Sequence, residues 1–262
     1  MTRPPGRRAD GGAQPRVVPG LHPVRELLRS GQRVDEVVTA RDETSGDVLH
    51  EIIVLARAAR VPVRQADRDE VERLAGTSGH QGVLAIAPAY RYRTLDELVA
   101  AAPAPALLVA LDGVTDPHNL GSIARTAEGA GAGGLIVPER RAVGITPAAE
   151  KAAAGALAYL PVARVTNLVR ALGDLSEGGI WSVVLDGDAD TSLYDLELLV
   201  EPVVLVVGAE GRGLSRLASE RCDVLASLPM RGVVGSLNAS VAAALALYET
   251  VRRRGALPFN LG

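Results

Sequence analysis

Leu228 to Glu249 reads LPMRGVVGSLNASVAAALALYE, an order that predicts a strand end, a glycine turn and a helix in direct succession. The apolar run closes at Pro229-Met230, and Gly232 and Gly235 supply the turn. Ser236, Leu237, Asn238 and Ser240 then open the helix; Ser and Asn are the side chains that most often cap one. Leu237, Val241, Ala244, Leu245 and Tyr248 recur at helical spacing and predict one apolar face. Free N–H groups at such a helix start can hold the polar atoms of a ligand. Taken alone, the stretch reads first as an ordinary capped helix on a sheet, so its neighbours must decide.

Outward from it, the second half of the chain alternates between strands and helices. Strands are predicted at Leu107 to Leu111, Leu135 to Val137, Ile180 to Leu185, Val203 to Val207 and Val224 to Leu228. Helices are predicted at Asn119 to Gly129, at Pro147 to Tyr159 with Thr146 as cap, at Asn167 to Leu175, and briefly after Gly213. Leu107 to Leu111 and Val203 to Val207 are unbroken apolar runs, the pattern of strands covered on both faces of a parallel sheet.

The first half predicts a smaller α/β unit over residues 16–87. Its helices fall at His22 to Ser30, Asp47 to Arg60 and Asp67 to Leu74, and its strands at Val34 to Ala40, Val61 to Gln65 and Gly82 to Ala87. Met1 to Pro15, with Arg3, Arg7 and Arg8 among Pro and Gly, reads as a disordered basic tail. Residues 88–105, with Pro88, Pro103 and Pro105 around a short helical TLDELVAAA, read as a linker, and 106–262 as the second domain.

At 262 residues, 47% hydrophobic and 23% charged, the chain has room for two folded cores. Every long apolar run is interrupted by Gly, Pro or charge, so no membrane span is expected, and the start has no secretory apolar region. A cytoplasmic location is expected. Cys222 is the only cysteine, which excludes an internal disulfide and a cysteine-rich metal site. His22, His50, His80 and His118 lack the spacing of metal ligands, so no metal is expected; His22 and His80 remain candidates for touching RNA or for structural roles. The net charge of −3 means that a nucleic-acid partner would have to be met by local arginine clusters.

Chemistry is expected at the carboxyl ends of parallel strands, where open α/β sheets bind ligands. Two further stretches lie there. Leu111 to Thr126, LDGVTDPHNLGSIART, carries a turn at Asp116-Pro117, then Asn119, then Arg125 six residues further into a helix. Val207 to Leu214, VGAEGRGL, places three glycines in a strand-to-helix turn, where a backbone can approach a ligand closely. A dinucleotide-type glycine pattern at Gly129, Gly131 and Gly134 follows a helix and precedes a strand, the reverse of the required order, so a nicotinamide enzyme is set aside.

Together the three stretches resemble the motifs of the SpoU (TrmH) branch of the SPOUT RNA methyltransferases. The matching residues run Asp112, Asp116, Pro117, Asn119, Gly121, Arg125, Thr126 and Ala127; then Gly208, Glu210, Gly213 and Leu214; then Pro229, Met230, Gly232, Ser236, Leu237, Asn238, Ser240 and Ala242. A weaker likeness links Val18 to Val24 and Gly79 to Val83 to the ribosomal-protein-like RNA-binding domain that precedes the catalytic domain in ribosomal members.

The resemblance implies an α/β fold whose C-terminal domain is a knotted (trefoil) SPOUT domain with a mostly parallel sheet, a rare exception to the unthreaded rule. It implies S-adenosylmethionine (S-adenosyl-L-methionine) held by Asp186, Gly187, Gly208, Glu210, Gly211, Leu228, Met230 and Leu237, with Arg125, Asn119, Glu210, Ser236 and Asn238 as catalytic residues. It implies ribose 2'-O-methylation of structured RNA, first a guanosine of 23S ribosomal RNA, by a homodimer paired through the knotted domain. The alternatives are a tRNA guanosine, an antibiotic-site rRNA adenosine, or a non-catalytic RNA-binding or assembly module that keeps the fold.

Overall fold

The computed structural model describes residues 15–41, 46–208, 221–233 and 235–255. Residues 1–14 of the expected tail, Glu210, Gly211 and the short helix expected after Gly213 lie outside the described residues. The first domain is a four-stranded sheet in the order β1-β4-β2-β3: β1 Arg16–Pro19, β2 Glu36–Ala40, β3 Val63–Ala66 and β4 Val83–Ala87. Only β2 and β3 run parallel. Side chains alternate across it: Val37, Val83 and Ala85 face α1 (Leu21–Arg29) and α2 (Asp47–Ala58), while Val38 and Leu84 face α3 (Arg68–Ala75). Gly76 closes α3 in the left-handed conformation, as the sequence predicts.

The second domain is built on six parallel strands in the order β10-β8-β9-β5-β6-β7. These are β5 Leu107–Asp112, β6 Gly134–Pro138, β7 Val162–Val165, β8 Trp181–Leu185, β9 Val203–Gly208 and β10 Val224–Ala226. The expected double-faced burial of the central strands is met. Leu107, Val109 and Leu111 enter the core under α5 (Pro117–Gly129), α6 (Pro147–Ala153) and α8 (Ala239–Arg253), and Leu108 and Ala110 enter the one under α4 (Leu95–Ala101) and α7 (Leu168–Glu177). Gly121 lets α5 and α6 touch, because a Cβ there would run into the carbonyl of Ala149.

Three sequence expectations need correction. The helix expected from Pro147 to Tyr159 ends at Ala153: Ala154 takes φ 52° and Gly155 φ 103°, and a short 3-10 turn, Ala156–Ala158, follows. A Cβ on Gly155 would meet the Glu26 side chain, so the break is where α1 of the first domain docks. Residues 88–105 are not a free linker either. Arg93 N donates to Val162 O on the edge strand β7 (2.9 Å), and Leu98 is fully buried beneath the large sheet.

The third correction concerns α8. Its buried face is Ala239, Ala243, Ala246, Leu247 and Thr250, whereas Val241, Leu245 and Tyr248 of the predicted apolar face are exposed. Small residues win the inward position because α8 packs directly on α5 and β9. Its far end is fixed by Arg254, which donates to the carbonyls of Pro105 (2.6 Å), Ala106 (3.0 Å), Leu199 (3.0 Å) and Glu201 (2.5 Å).

The two domains are locked at α6. Buried Arg16 of β1 pairs with buried Glu150, and its guanidinium lies 5.1 Å above the Tyr90 ring. Burial pushes the Glu150 carboxyl above its ordinary range, against the pull of Arg16. Lys151, the only lysine, donates to Gln81 (2.9 Å), Gln32 to the Ala158 carbonyl (2.8 Å) and Tyr159 to the Glu26 carboxylate (3.0 Å).

Candidate active site

At the carboxyl ends of β8, β9 and β10 the strands give way to three turns that enclose a cavity of about 450 Å³. Asp186, Gly187, Gly208, Leu228, Met230, Ser236 and Leu237 line it, so six of the eight residues expected to hold a cofactor meet there and Ser236 joins them. The other two, Glu210 and Gly211, lie outside the described residues. Leu185, Asp188, Val207, Gly235, Ala239 and Ala242 also line the cavity and were not among the residues expected to hold the cofactor. Leu185 and Val207 stand at strand ends and Ala242 one turn into a helix, so the fold carries them there; Asp188, two residues after Asp186, was the readable signal.

Local chemistry shapes each turn. Asp186 folds its own loop by accepting from Asp188 N (3.0 Å), while its backbone donates to Ala226 O of β10 (3.0 Å). Gly208 stands at the end of β9 opposite Asp112 of β5. Asn238 caps α8: its Oδ1 accepts from Ser240 N (2.8 Å), Ser240 Oγ (2.6 Å) and Val241 N (3.3 Å). The Asn238 amide nitrogen donates to Asn119 Oδ1 (2.9 Å). Asn119 is buried on the first turns of α5, behind the Asp116 cap that accepts from His118 N (2.9 Å). The first and third sequence motifs therefore meet through one amide pair.

The cavity suits a ligand with a cation and an apolar end. Its lining combines two acidic residues, Asp186 and Asp188, with the apolar Val207, Leu228, Met230 and Leu237. Among the described residues no group of His, Cys, Asp or Glu is placed to hold a metal ion.

Arg125 is placed elsewhere. It is exposed, makes no ion pair among the described residues, and lines a separate cleft with His22, Arg25, Glu128 and Tyr159. Six helical residues separate it from Asn119, which is about 9 Å along the axis and about 120° around it. Asn119 and Arg125 thus point to different sides of α5, and Asn119 accepts a hydrogen bond from Asn238. His80 is buried, with Nδ1 accepting from Gly82 N (3.0 Å), a structural role rather than an RNA contact.

Comparison with known proteins agrees with this arrangement. The profile of the SpoU rRNA Methylase family matches residues 106–248, and that of RNA 2'-O ribose methyltransferase substrate binding matches 17–93. YacO of Bacillus subtilis, named in the TrmH family of tRNA/rRNA methyltransferases, is 43% identical over 239 residues, 90% of this chain and 94% of that one. The SpoU methyltransferase AviRb from Streptomyces viridochromogenes, solved with AdoMet, is 28% identical at a TM-score of 0.77, covering 91% of this chain and 90% of that one. The AdoMet-bound rRNA methyltransferase from Sinorhizobium meliloti is 25% identical at a TM-score of 0.74, over 91% and 87%. The chain belongs to the SpoU rRNA methylase family, with the family's substrate-binding domain in front of its catalytic domain.

Proposed function

We propose that the protein transfers a methyl group from S-adenosylmethionine to a ribose 2'-hydroxyl of structured RNA, and that its substrate is a guanosine of 23S ribosomal RNA. The observation that carries this reading is the meeting of three strand-end turns in one cavity, with the Asn119–Asn238 pair beside it. Bound there, the cofactor would supply a methyl on a sulfonium, which a ribose oxygen can take as its proton passes to solvent and S-adenosylhomocysteine leaves. Asp186 and Asp188 would balance the cofactor's positive charge, Leu228 and Leu237 would hold its apolar part, and Asn119 and Asn238 fix the turn that carries Ser236. A guanidinium keeps its protons in proteins, so Arg125 serves by holding negative charge on a phosphate or on the developing alkoxide. Glu210 is assigned to orienting its neighbours on the strength of its motif.

Arg125 and the cavity belong to separate clefts of one chain, so we place the reaction between two protomers. The exposed Val241, Leu245 and Tyr248 of α8 share a groove with Ser122 and Thr126, the latter next to Arg125 on α5. This face is the one we assign to a homodimer. The trefoil threading stays part of the proposal, in the passage from β9 across β8 to β10, as does work in the cytoplasm.

Titration calorimetry should show S-adenosylmethionine and S-adenosylhomocysteine binding, with NADH and ATP silent, and Gly208→Val should abolish the signal by filling the close-approach position. With labelled donor, deproteinised ribosomal RNA should accept methyl groups and tRNA should not. Transfer to tRNA alone moves the substrate to the tRNA alternative; cofactor binding without transfer to either leaves the non-catalytic RNA-binding reading.

A further inference from the structure

We propose that an arginine stripe along the β7 edge of the catalytic sheet is the track for the RNA backbone, leading phosphates from the cleft between the domains to the lip of the active site. The proposal rests on the RNA methyltransferase reading above. Its parts come from four separate stretches of the sequence. Arg33, Arg91 and Arg93 line an interdomain cleft of about 550 Å³. Arg93 then enters the sheet beside β7: its N–H donates to Val162 O (2.9 Å) and its carbonyl accepts from Arg164 N (3.1 Å). The Arg164 guanidinium lies 5.1 Å over the Tyr92 ring and reaches the Glu139 carbonyl (3.5 Å), so the next loop begins beside it.

That loop carries Arg140 and Arg141, both exposed. It is tied by Val143 N to the carbonyl of Val114 (3.1 Å), in the segment that runs through the Asp116 cap into α5 and Asn119. The stripe is thus continuous through backbone and side-chain contacts, and it ends next to the turn that carries the first motif.

Clustering sets it apart, since Arg57, Arg60, Arg73 and Arg125 are also exposed without an ion pair among the described residues but stand apart from the stripe in the sequence. Arg29, Arg64, Arg252 and Arg253 are each held by carboxylates within 3.0 Å. Along the stripe Arg33 is paired with Asp35 (3.0 Å), but Arg91, Arg93, Arg140, Arg141 and Arg164 make no ion pair among the described residues. Glu139 lies beside Arg140, and Asp35 is the partner of Arg33. A chain of net charge −3 that leaves five neighbouring guanidinium groups unpaired builds a local positive field, which attracts a polyanion. Arginine suits phosphate through its planar fork of donors, and contacts of this kind set register and orientation rather than sequence.

The test uses the full chain with Arg91→Ala, Arg93→Ala, Arg140→Ala and Arg141→Ala combined, and deproteinised ribosomal RNA as the probe. Each phosphate contact adds about 0.7 to 0.9 to the slope of log affinity against log salt. The fourfold variant should lose roughly 2 to 4 of that slope and at least about tenfold in low-salt affinity, with cofactor affinity and thermal midpoint unchanged. Arg170→Ala, on exposed α7, should change neither, and the two pairs 91/93 and 140/141 tested separately cover a fold failure of the fourfold variant. An unchanged slope, or an equal loss from Arg170→Ala, overturns the proposal. So does a variant that keeps RNA affinity but no longer binds polyglutamate, which would assign the stripe to an acidic protein. If the wild-type chain neither binds S-adenosylmethionine nor methylates RNA, the methyltransferase reading falls first; if it does both and the slope is unmoved, only the stripe falls.

Discussion

Arg125 is an exposed cation without a partner among the described residues, about 1.7 turns beyond the buried Asn119 on one helix. An interaction made mainly in the transition state lowers turnover more than ground-state binding. Arg125→Ala should therefore leave cofactor affinity intact in calorimetry and lower kcat by about 100- to 1000-fold, the usual effect of losing one donor to a developing oxyanion. Arg125→Lys should restore little, since a point charge does not reproduce the fork. Near-normal turnover in either variant removes Arg125 from the chemistry. A second residue acts on stability. Asp223 accepts from Ser182 N (2.8 Å), Ser182 Oγ (2.7 Å) and Ser176 Oγ (3.0 Å), pinning the start of β10 to β8 and α7. Partial burial raises its pKa, but these hydrogen bonds outweigh burial and leave the carboxyl below its ordinary value. A depressed pKa gives stability that is present above the unfolded value and lost as pH falls through the folded one. Asp223→Asn should thus cost about 1 kcal/mol at neutral pH, discounted for exposure, and the gap from wild type should close below the ordinary aspartate range. A denaturant midpoint difference that ignores pH contradicts this. Asp186, Gly187, Gly208 and Leu228 were legible as what the family resemblance implies, and the fold brings them to one cavity. The Asn119–Asn238 bond was not, since 119 positions separate its partners and only the folded sheet brings them together.

At the level of elements, alternation and unbroken apolar runs identified nearly all of the large sheet. Two four-residue strands escaped: β1 at Arg16–Pro19 abuts the tail, and β7 at Val162–Val165 follows Pro161 at the end of a supposed helix. Neither is long enough to show a period. The break at Ala154-Gly155 escaped for another reason, being imposed by the docking of Glu26 rather than by local propensity. On α8 the periodicity was real but its direction was misread. The heavy apolar stripe faces out, and the alanine stripe packs inward against α5. An outward apolar stripe beside a groove is a surface that a second copy can cover. If this face forms the proposed dimer, Leu245→Glu combined with Tyr248→Asp should give half the wild-type mass in light scattering, while leaving the helix folded because neither residue is in its buried face. A double variant that remains dimeric moves the interface elsewhere.

Across the whole molecule, the two domains form a jointed rather than a swinging pair. Arg16 and Glu150 are both buried at their junction, and Gln32, Lys151 and Tyr159 bridge it with hydrogen bonds. The proline pattern of residues 88–105 suggested mobility, because sequence cannot show that Arg93 and Leu98 are taken up by the second sheet. If two chains share each reaction site, inactive chains should complement one another. Mixing Arg125→Ala with Gly208→Val should restore about a quarter of wild-type activity, assuming random exchange between two-fold pairs, whereas a site complete in one chain stays dead in the mixture. The central claim, methyl transfer to a ribose 2'-hydroxyl, is tested most directly on the product. Ribosomal RNA treated with the purified protein and S-adenosylmethionine, then hydrolysed in alkali, should show one missing rung in the cleavage ladder, since a methylated 2'-oxygen cannot attack its phosphate. The same RNA treated with the Arg125→Ala protein should give an unbroken ladder. Methyl label that enters the RNA while every rung survives would place the modification on a base and contradict the account.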